Sequence, residues 1–282
     1  MDSKLAELLG STMKFNYVCG AVTPIANCHD TGWRTMQCAL CTQNLGNLVD
    51  VHLGSGAVMT YGHGEALIMP AGIRHRIRLR PGGESVSRWA HFEFSVFETV
   101  DALSFYELPK IFSGSVAEKM GRLCEALSNE NEKPSMLCLC RIKELGFSLA
   151  ETALENSEQV SGFRERCESY RRLAPAFRSS ERFSRGEISL EEMAKLCNLS
   201  VSRFSAIFRA ATGESPVRYQ TQARLQKARS MLLSGDSMVA EIAEAFGYKD
   251  QFHFSKAFKL QFGLSPLQYR EQAKARLKAR SF

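Results

Sequence analysis

Histidine and cysteine are the side chains in this sequence that could ligate a metal ion, and their spacing argues against such a site. His52, His63 and His91 each stand alone, and no His-x-His pair occurs anywhere in the chain. Cys38 and Cys41 have the spacing of a metal-binding pair, but no second pair lies nearby, so strand packing is the favoured interpretation. We therefore expect no metal site, no cofactor and no enzymatic chemistry.

A repeat at a fixed offset of fifty residues is the strongest internal signal. The segment Phe204-Ser205-Ala206-Ile207-Phe208-Arg209 is matched by Phe254-Ser255-Lys256-Ala257-Phe258-Lys259. A glycine, a Ser-Pro pair and a tyrosine follow at equal distances, at Gly213, Ser215, Pro216 and Tyr219 and again at Gly263, Ser265, Pro266 and Tyr269. Two copies of one supersecondary unit are therefore predicted.

Each copy carries the signals of two short helices joined by a turn. In the first copy Ser189 and Glu192 form a capping box, Asn198 suits a left-handed turn, and Ser200 can cap the second helix. The second copy repeats these signals with Gly247 at its turn and Asp250 as its cap. Two helices with so short a turn predict a helix-turn-helix unit in each copy.

The segment between the copies reads as a rigid connector. It begins at Pro216, runs through helix-forming residues and ends near Ser234. As a helix it would span roughly 27 Å. That length is close to the ~34 Å between successive major-groove faces of B-DNA.

The C-terminal part resembles the AraC/XylS family of bacterial transcription regulators. The resemblance rests on Arg224-Leu225-Gln226-Lys227-Ala228, on the run from Val239 to Tyr248, on Phe254 and Phe258, and on Phe262-Gly263-Leu264-Ser265-Pro266. It covers nearly all of residues 172–270 and implies an all-α DNA-binding domain with two helix-turn-helix motifs. Asn198, in place of the usual turn glycine, departs from the family pattern.

The resemblance implies that bases are read from the exposed face of each second helix. The implied DNA-binding residues are Ser202, Arg203, Ser205, Ala206, Arg209, Gln251, Phe252, His253, Ser255, Lys256 and Lys259. Glutamine can pair with adenine, arginine or lysine with guanine, and phenylalanine can contact a thymine methyl group. Arg209 and Lys259 are interpreted as phosphate contacts, and His253 either reads a base or is solvated.

The first hundred residues read as short strands separated by glycine-rich turns, followed by two helical segments at 115–128 and 134–155. The segment from Gly64 to His75 resembles the second motif of the cupin barrel, with His75 pointing into the barrel mouth. The fold class expected is α+β, with an N-terminal cupin-like β-barrel and two dimerisation helices before the all-α C-terminal domain.

Such a barrel commonly binds a small effector in this family, often a sugar. By alternation Trp89, His91 and Glu93 share one strand face, while Ala90, Phe92 and Phe94 share the other. The candidate effector-binding residues are Arg34, His75, Ser87, Trp89 and His91. A tryptophan beside hydrogen-bonding groups suits a carbohydrate, although Trp89 is equally explained as core and His75 as a satisfied buried histidine.

Charge separates the two halves of the chain. Residues 1–160 hold 14 basic and 18 acidic side chains, whereas the remainder holds 22 basic and 12 acidic ones. A basic C-terminal half points to a polyanion partner. No apolar run approaches the ~18 residues that a membrane span needs, so no membrane partner is expected. Nine cysteines and the absence of a signal-peptide pattern favour a cytoplasmic protein.

These features predict a sensor and dimerisation domain at residues 1–160, a linker at 161–171 and a DNA-binding domain at 172–282. The expected partners are double-stranded DNA, a small-molecule effector, a second copy of the chain and RNA polymerase. The expected function is a ligand-responsive transcription regulator, an activator by the family pattern. An effector-independent regulator with a vestigial barrel and a cupin enzyme fused to a DNA-binding module are the alternatives.

Overall fold

The computed structural model describes residues 3–25, 29–82, 84–96, 100–130, 135–179, 182–183, 187–235 and 237–271. For residues 3–6, 8, 226 and 234 it describes the backbone alone. The chain divides into two compact units, Met1–Phe163 and Arg164–Phe282, and each is described by itself.

The first unit is built from two β-sheets with helices on one face. Its strands are β1 (Lys14–Ile25), β2 (Arg34–Thr35), β3 (Ala39–Leu45), β4 (Val49–Leu53), β5 (Val58–Tyr61), β6 (Ala66–Met69), β7 (Arg74–Leu79), β8 (Ser85–Val96), β9 (Val100–Asp101) and β10 (Lys110–Phe112). The larger sheet has the order β1-β8-β3-β6-β10, with β9 added to β8, and the smaller sheet has the order β2-β7-β4-β5. A 3₁₀ turn spans Ala102–Phe105.

Within the described part of this unit the α-helices are α1 (Ser3–Thr12), α2 (Gly114–Asn129) and α3 (Met136–Glu155). The predicted helices at 115–128 and 134–155 therefore agree with α2 and α3, although Pro134, the expected start of the second, lies outside the described residues. Helix α1 was not predicted, because the N-terminal stretch was read as part of the strand region.

Alternation along β8 separates two environments. Ala90, Phe92 and Phe94 are buried on the face that carries α2 and α3, where the rings of Phe15 and Phe92 stack at 5.2 Å. Gly146 of α3 lies so close to the Phe15 ring that a Cβ atom there would overlap it. Trp89 and His91 lie on the opposite face, as the alternation predicts, whereas Glu93 is exposed near the strand end.

A polar cluster fastens α2 to the larger sheet. Gln43, which is fully buried, donates from Nε2 to Glu118 Oε2 over 3.0 Å. Arg88 forms ion pairs with Glu118 at 3.3 Å and with Glu125 at 3.0 Å. Because a buried hydrogen-bonded group is costly to separate from its partner, these contacts fix the helix on the sheet.

The barrel expectation is met in part. The segment from Gly64 to His75 supplies β6, a turn and the start of β7, as the cupin motif predicts. The described strands, however, pair into two sheets rather than into one closed ring.

The second unit is helical. Its helices are α4 (Phe163–Arg178), α5 (Leu190–Leu196), α6 (Val201–Thr212), α7 (Pro216–Ser234), α8 (Val239–Ala245) and α9 (Gln251–Phe262), and residues 266–271 are also helical. The linker expected at 161–171 lies mostly within α4. Cys167, Tyr170 and Leu173 recur at helical spacing and are buried, so this polar segment has an apolar face that the composition concealed.

The local signals of the repeat are confirmed. Ser189 and Glu192 form the capping box, and Ser200 and Asp250 cap α6 and α9. Asn198 takes the turn of the first helix-turn-helix at φ 54°, where the second helix-turn-helix has Gly247 at φ 68°. Asparagine tolerates this left-handed region better than other non-glycine residues, which explains how it replaces glycine here.

In the residues that the structure describes, we find no helix with the length and apolarity to span a bilayer.

Candidate nucleic-acid interface and candidate ligand pocket

Helices α6 and α9 are built alike and present equivalent faces. Both have twelve residues, and both end at a glycine with φ +79°. Phe208 packs edge-on against Tyr219 at 5.3 Å, and fifty residues later Phe258 packs edge-on against Tyr269 at 5.6 Å. Because the buried faces coincide, the exposed faces coincide as well.

The exposed face of α6 carries small side chains and two cations. Of its sequence-predicted residues, Ser202, Arg203, Ala206 and Arg209 are exposed, and Ser205 is half-buried. Phe204 and Phe208 are buried on the opposite side. The structure therefore brings the four exposed residues together on one surface.

The exposed face of α9 carries larger side chains. Gln251, Phe252, His253, Lys256 and Lys259 are all exposed, and Ser255 is half-buried. The exposed fraction of Phe252 is 76%, which is high for an aromatic side chain. The Asp250 carboxylate accepts hydrogen bonds from the amides of Phe252 and His253, which fixes the first turn of the helix.

Two exposed positions on these faces were missed. Leu260 is 90% exposed and follows Lys256 by one helical turn, and Ala210 occupies the matching place on α6. The fifty-residue register together with the i, i+4 spacing would have identified both positions.

Several cations of this unit hold the helices together rather than facing outward. The Arg224 guanidinium lies over the Tyr248 ring at 5.8 Å, and that of Arg229 lies over the Phe262 ring at 5.5 Å. Arg270 donates to the carbonyl oxygens of Leu232 and Ser237. These contacts pack the connector α7 against the second helix-turn-helix. The cations on the exposed faces of α6 and α9 are therefore fewer than the number of basic residues in this half suggests.

The predicted effector-binding residues lie on strands of both sheets of the first unit. Arg34 on β2 donates from Nε to Nε2 of His75 on β7 over 3.2 Å. His75 is 2% exposed, and its Nδ1 lies 2.8 Å from the carbonyl oxygen of Ile73. Burial lowers the pKa of His75, and the nearby Arg34 charge lowers it further.

The other candidates lie on β8, which faces this pair. The rings of Trp89 and His91 meet edge-on at 5.4 Å. Burial lowers the pKa of His91 to about 4, so this imidazole is neutral at pH 7. Ser87 shares a 2.8 Å hydroxyl contact with Thr42, and the Trp89 indole donates to Thr23 Oγ1 over 3.0 Å.

Apolar side chains pack closely around the predicted effector-binding residues in the interior of the first unit. Trp89 lies against a buried apolar cluster that includes Leu40, Val51 and Leu67. Thr42 and Tyr61, which is 2% exposed, belong to the same interior and were not predicted. Because polar side chains and apolar core share this space, the geometry accommodates both the binding and the core interpretation of Trp89.

The pair Cys38 and Cys41 is divided between two environments. Cys38 Sγ lies 3.6 Å from His91 Nδ1, whereas Cys41 is fully buried and its carbonyl oxygen accepts a hydrogen bond from Cys124 Sγ of α2 over 3.9 Å. Over the residues with described side chains, no group of three or more His, Cys, Asp and Glu is placed to hold a metal ion.

Comparisons with known proteins bear mainly on the second unit. A family model described as a helix-turn-helix domain matches residues 193–272. The MmsAB operon regulatory protein of Pseudomonas aeruginosa is 36% identical over 87 residues, which are 31% of this chain and 28% of that protein. The raffinose operon transcriptional regulatory protein RafR of Pediococcus pentosaceus is 37% identical over 91 residues, 32% of each chain. The matched part thus spans less than a third of these relatives.

A solved structure resembles the chain over most of its length. ToxT from Vibrio cholerae O395, bound to (E)-4-(8-methylnaphthalen-1-yl)but-3-enoic acid, matches with a TM-score of 0.55 over 93% of this chain and 99% of that one. The identity is 10%, so the match shows a shared fold.

Proposed function

We propose, since residues 193–272 form an AraC-type helix-turn-helix domain, that this chain is a sequence-specific DNA-binding transcription regulator, an activator that responds to a small effector. The observation that carries the proposal is the pair of exposed, equivalent faces on α6 and α9. The curated relatives named above are themselves named as operon regulators, which supports a regulatory rather than an enzymatic role.

Each of the two helices is proposed to enter a major groove. The connector α7 has 19 residues, and at 1.5 Å per residue a helix of this size spans roughly 28 Å. A rigid element of this length suits two recognition helices placed about one helical turn of DNA apart.

The exposed side chains have the chemistry for base reading. Gln251 can pair with adenine, Lys256 and Arg203 with guanine, and Phe252 can contact a thymine methyl group. Arg209 and Lys259, at equivalent places later in each helix, are assigned to phosphates. His253 packs edge-on against Tyr248 at 5.5 Å, which fixes the orientation of its ring.

The space between the two sheets is proposed to bind the effector, with a carbohydrate as the favoured class. Arg34, His75, Ser87 and His91 offer hydrogen-bonding groups, and Trp89 offers an apolar ring for the CH face of a sugar. Both imidazoles are neutral at pH 7, which suits an uncharged ligand. Effector binding would shift the population between conformations with different operator affinity.

An effector-independent regulator is the second candidate. Trp89 contacts the apolar cluster, and the imidazoles of His75 and His91 are hydrogen-bonded to backbone carbonyl oxygens. These contacts favour the second candidate, because the three side chains then stabilise the fold and bind no ligand. Under this alternative the amount of the protein, rather than a ligand, would determine the level of transcription.

The helices α2 and α3 are proposed to join two copies of the chain. Met136, Leu137 and Leu139 are exposed on the first turns of α3, and apolar side chains in one exposed place favour an interface. A homodimer with four recognition helices would contact DNA beside RNA polymerase, the partner that an activator requires.

Selection from a random-sequence duplex DNA library tests the DNA-binding proposal. The full chain is expected to enrich one motif with two blocks whose centres lie about one helical turn apart. Recovery of unenriched sequence after repeated rounds would contradict sequence-specific binding.

A ligand screen separates the two candidates. Both tryptophans, Trp33 and Trp89, lie in the first unit, so intrinsic fluorescence follows the unfolding of that unit within the full chain. A monosaccharide at about 100 times its Kd should stabilise the unit by ~2.7 kcal/mol. No shift with any monosaccharide or related metabolite of a broad panel would favour the effector-independent regulator.

A further inference from the structure

The equivalence of α6 and α9 allows their exposed side chains to be compared position by position. Both helices have the same length, the same type of N-cap and the same glycine end, and their paired phenylalanines are buried at the same places. Ser215 and Ser265 then cap the following helical segments in the same way. Each exposed residue of α6 therefore corresponds in position to the residue fifty places later on α9.

At three successive turns the corresponding side chains differ in size. Ser202 corresponds to Phe252, Ala206 to Lys256 and Ala210 to Leu260, so the middle of the α6 face is short at every turn. At the equivalent places α9 projects an aromatic ring, a long cation and a branched aliphatic chain. A short side chain reaches few base edges, whereas a long one reaches several.

The cations on the two faces differ in what they can do. On α6 the exposed first turns offer one side chain able to read a base in a bidentate manner, Arg203, which suits guanine. On α9 the corresponding turns offer Gln251, Phe252 and Lys256, which suit adenine, thymine and guanine in turn. The later cations Arg209 and Lys259 correspond to each other, so they contribute alike to both halves.

The exposure of Phe252 supports this division. A ring that is 76% exposed gains nothing from the protein core, and its place on the DNA-facing surface matches contact with thymine methyl groups. The corresponding Ser202 has no apolar surface to offer such a methyl group.

Resting on the DNA-binding function proposed above, we propose that the two recognition helices read DNA unequally. Helix α9 specifies a block of several base pairs that includes a thymine, contacted by Phe252, and a guanine, contacted by Lys256. Helix α6 specifies at most one guanine through Arg203 and otherwise anchors the protein to phosphates. The operator therefore has one information-rich block and one information-poor block.

The experiment compares motifs that the full chain and its variants select from a random duplex library. The unchanged chain is expected to give one strong and one weak block. Lys256→Ala should remove the guanine preference in the strong block and lower affinity for the selected duplex about 5- to 150-fold. Ala206→Lys places the long cation on α6 at the same register, and it should create a new guanine preference in the weak block.

A second library tests the thymine contact. DNA synthesised with uracil in place of thymine keeps base pairing but lacks the methyl group that Phe252 is proposed to contact. Selection from this library should lose the thymine position of the strong block, and Phe252→Ala should lose it in ordinary DNA. Leu233→Ala, an exposed leucine of α7 outside both recognition helices, is the matched control and should leave both motifs unchanged.

The outcomes are separable. Two blocks of equal information, or a strong block that depends on Arg203 and not on Lys256, would overturn the unequal reading while leaving DNA recognition in place. Selection that yields no motif with any form of the chain would overturn the DNA-binding proposal itself.

Discussion

Arg34 Nε lies 3.2 Å from His75 Nε2, and this contact fixes the form of the imidazole. A guanidinium can only donate, so Nε2 accepts and the ring proton sits on Nδ1, which donates to the Ile73 carbonyl oxygen at 2.8 Å. Protonation of His75 would break the contact with Arg34 and place two cations side by side. The interior of the first unit is therefore built for neutral histidines.

This arrangement makes the first unit sensitive to acid. An unfolded histidine has a pKa near 6.5, whereas burial lowers the pKa of His91 to about 4 and also lowers that of His75. Between these pH values the unfolded chain binds more protons, so stability should fall as pH falls from about 6.5 towards 4. Asp101 opposes this only below about pH 6, because burial raises its pKa to about 6, whereas the effect of the histidines begins near pH 6.5.

Urea unfolding followed by tryptophan fluorescence measures the effect. The urea midpoint should be lower at pH 5.5 than at pH 7.5. Each histidine lowers the free energy of unfolding by up to ~1.4 kcal/mol per pH unit over the range in which it is protonated in the unfolded chain and neutral in the folded one. His91→Gln should flatten this dependence, whereas His253→Gln, in the other unit, should not. A midpoint that rises on acidification would contradict the account.

Removal of Trp89 tests the ligand pocket. With a sugar that stabilises the unchanged protein, Trp89→Ala should abolish the shift in Tm, because the ring that the ligand contacts is gone. Affinity for the selected DNA should stay within about twofold, since the helices proposed to read DNA belong to a different unit. Trp33→Ala, an exposed tryptophan outside the proposed pocket, is the control and should retain the shift.

Trp89→Ala could instead unfold the first unit. Loss of ellipticity and of a cooperative transition, at a cost of ~3–5 kcal/mol, would identify Trp89 as core and would favour the effector-independent regulator.

Base contacts and phosphate contacts should differ in their response to sequence. Gln251→Ala and Lys256→Ala should each weaken binding to the selected duplex by ~1–3 kcal/mol and leave binding to scrambled DNA nearly unchanged. Fluorescence anisotropy with both duplexes measures the difference. Equal losses on the two duplexes would exclude base reading by these side chains.

Arg209 and Lys259 should behave in the opposite way. Replacement of either by alanine should weaken binding to selected and scrambled DNA alike, because phosphates are the same in both. The slope of log Kd against log salt should decrease by about 1 for each replacement. A loss confined to the selected duplex would assign the residue to a base instead.

The helical unit could be predicted from sequence because its signals are local. Caps, turn residues and the fifty-residue register each depend on a few neighbours, and even Asn198 in the left-handed turn follows from its own side chain. Residues 161–171 were expected to form a linker, but most of them belong to helix α4, whose buried face carries Cys167, Tyr170 and Leu173.

The first unit was harder to predict because its sheets depend on distant pairing. Alternation assigned the two faces of β8 correctly, but it could not show that β3 lies between β8 and β6 or that the strands form two sheets. Likewise, no local pattern indicates that Thr42 meets Ser87 or that Arg34 meets His75, since each pair is joined only when the strands are paired.

The ratio of two dissociation constants tests the central claim most directly. The full chain is titrated at one fixed salt concentration with the duplex it selects and with a scrambled duplex of the same composition. Sequence-specific recognition predicts that the selected duplex binds at least ~10³-fold more tightly. A ratio near one would show that the basic faces of α6 and α9 bind DNA through its charge alone.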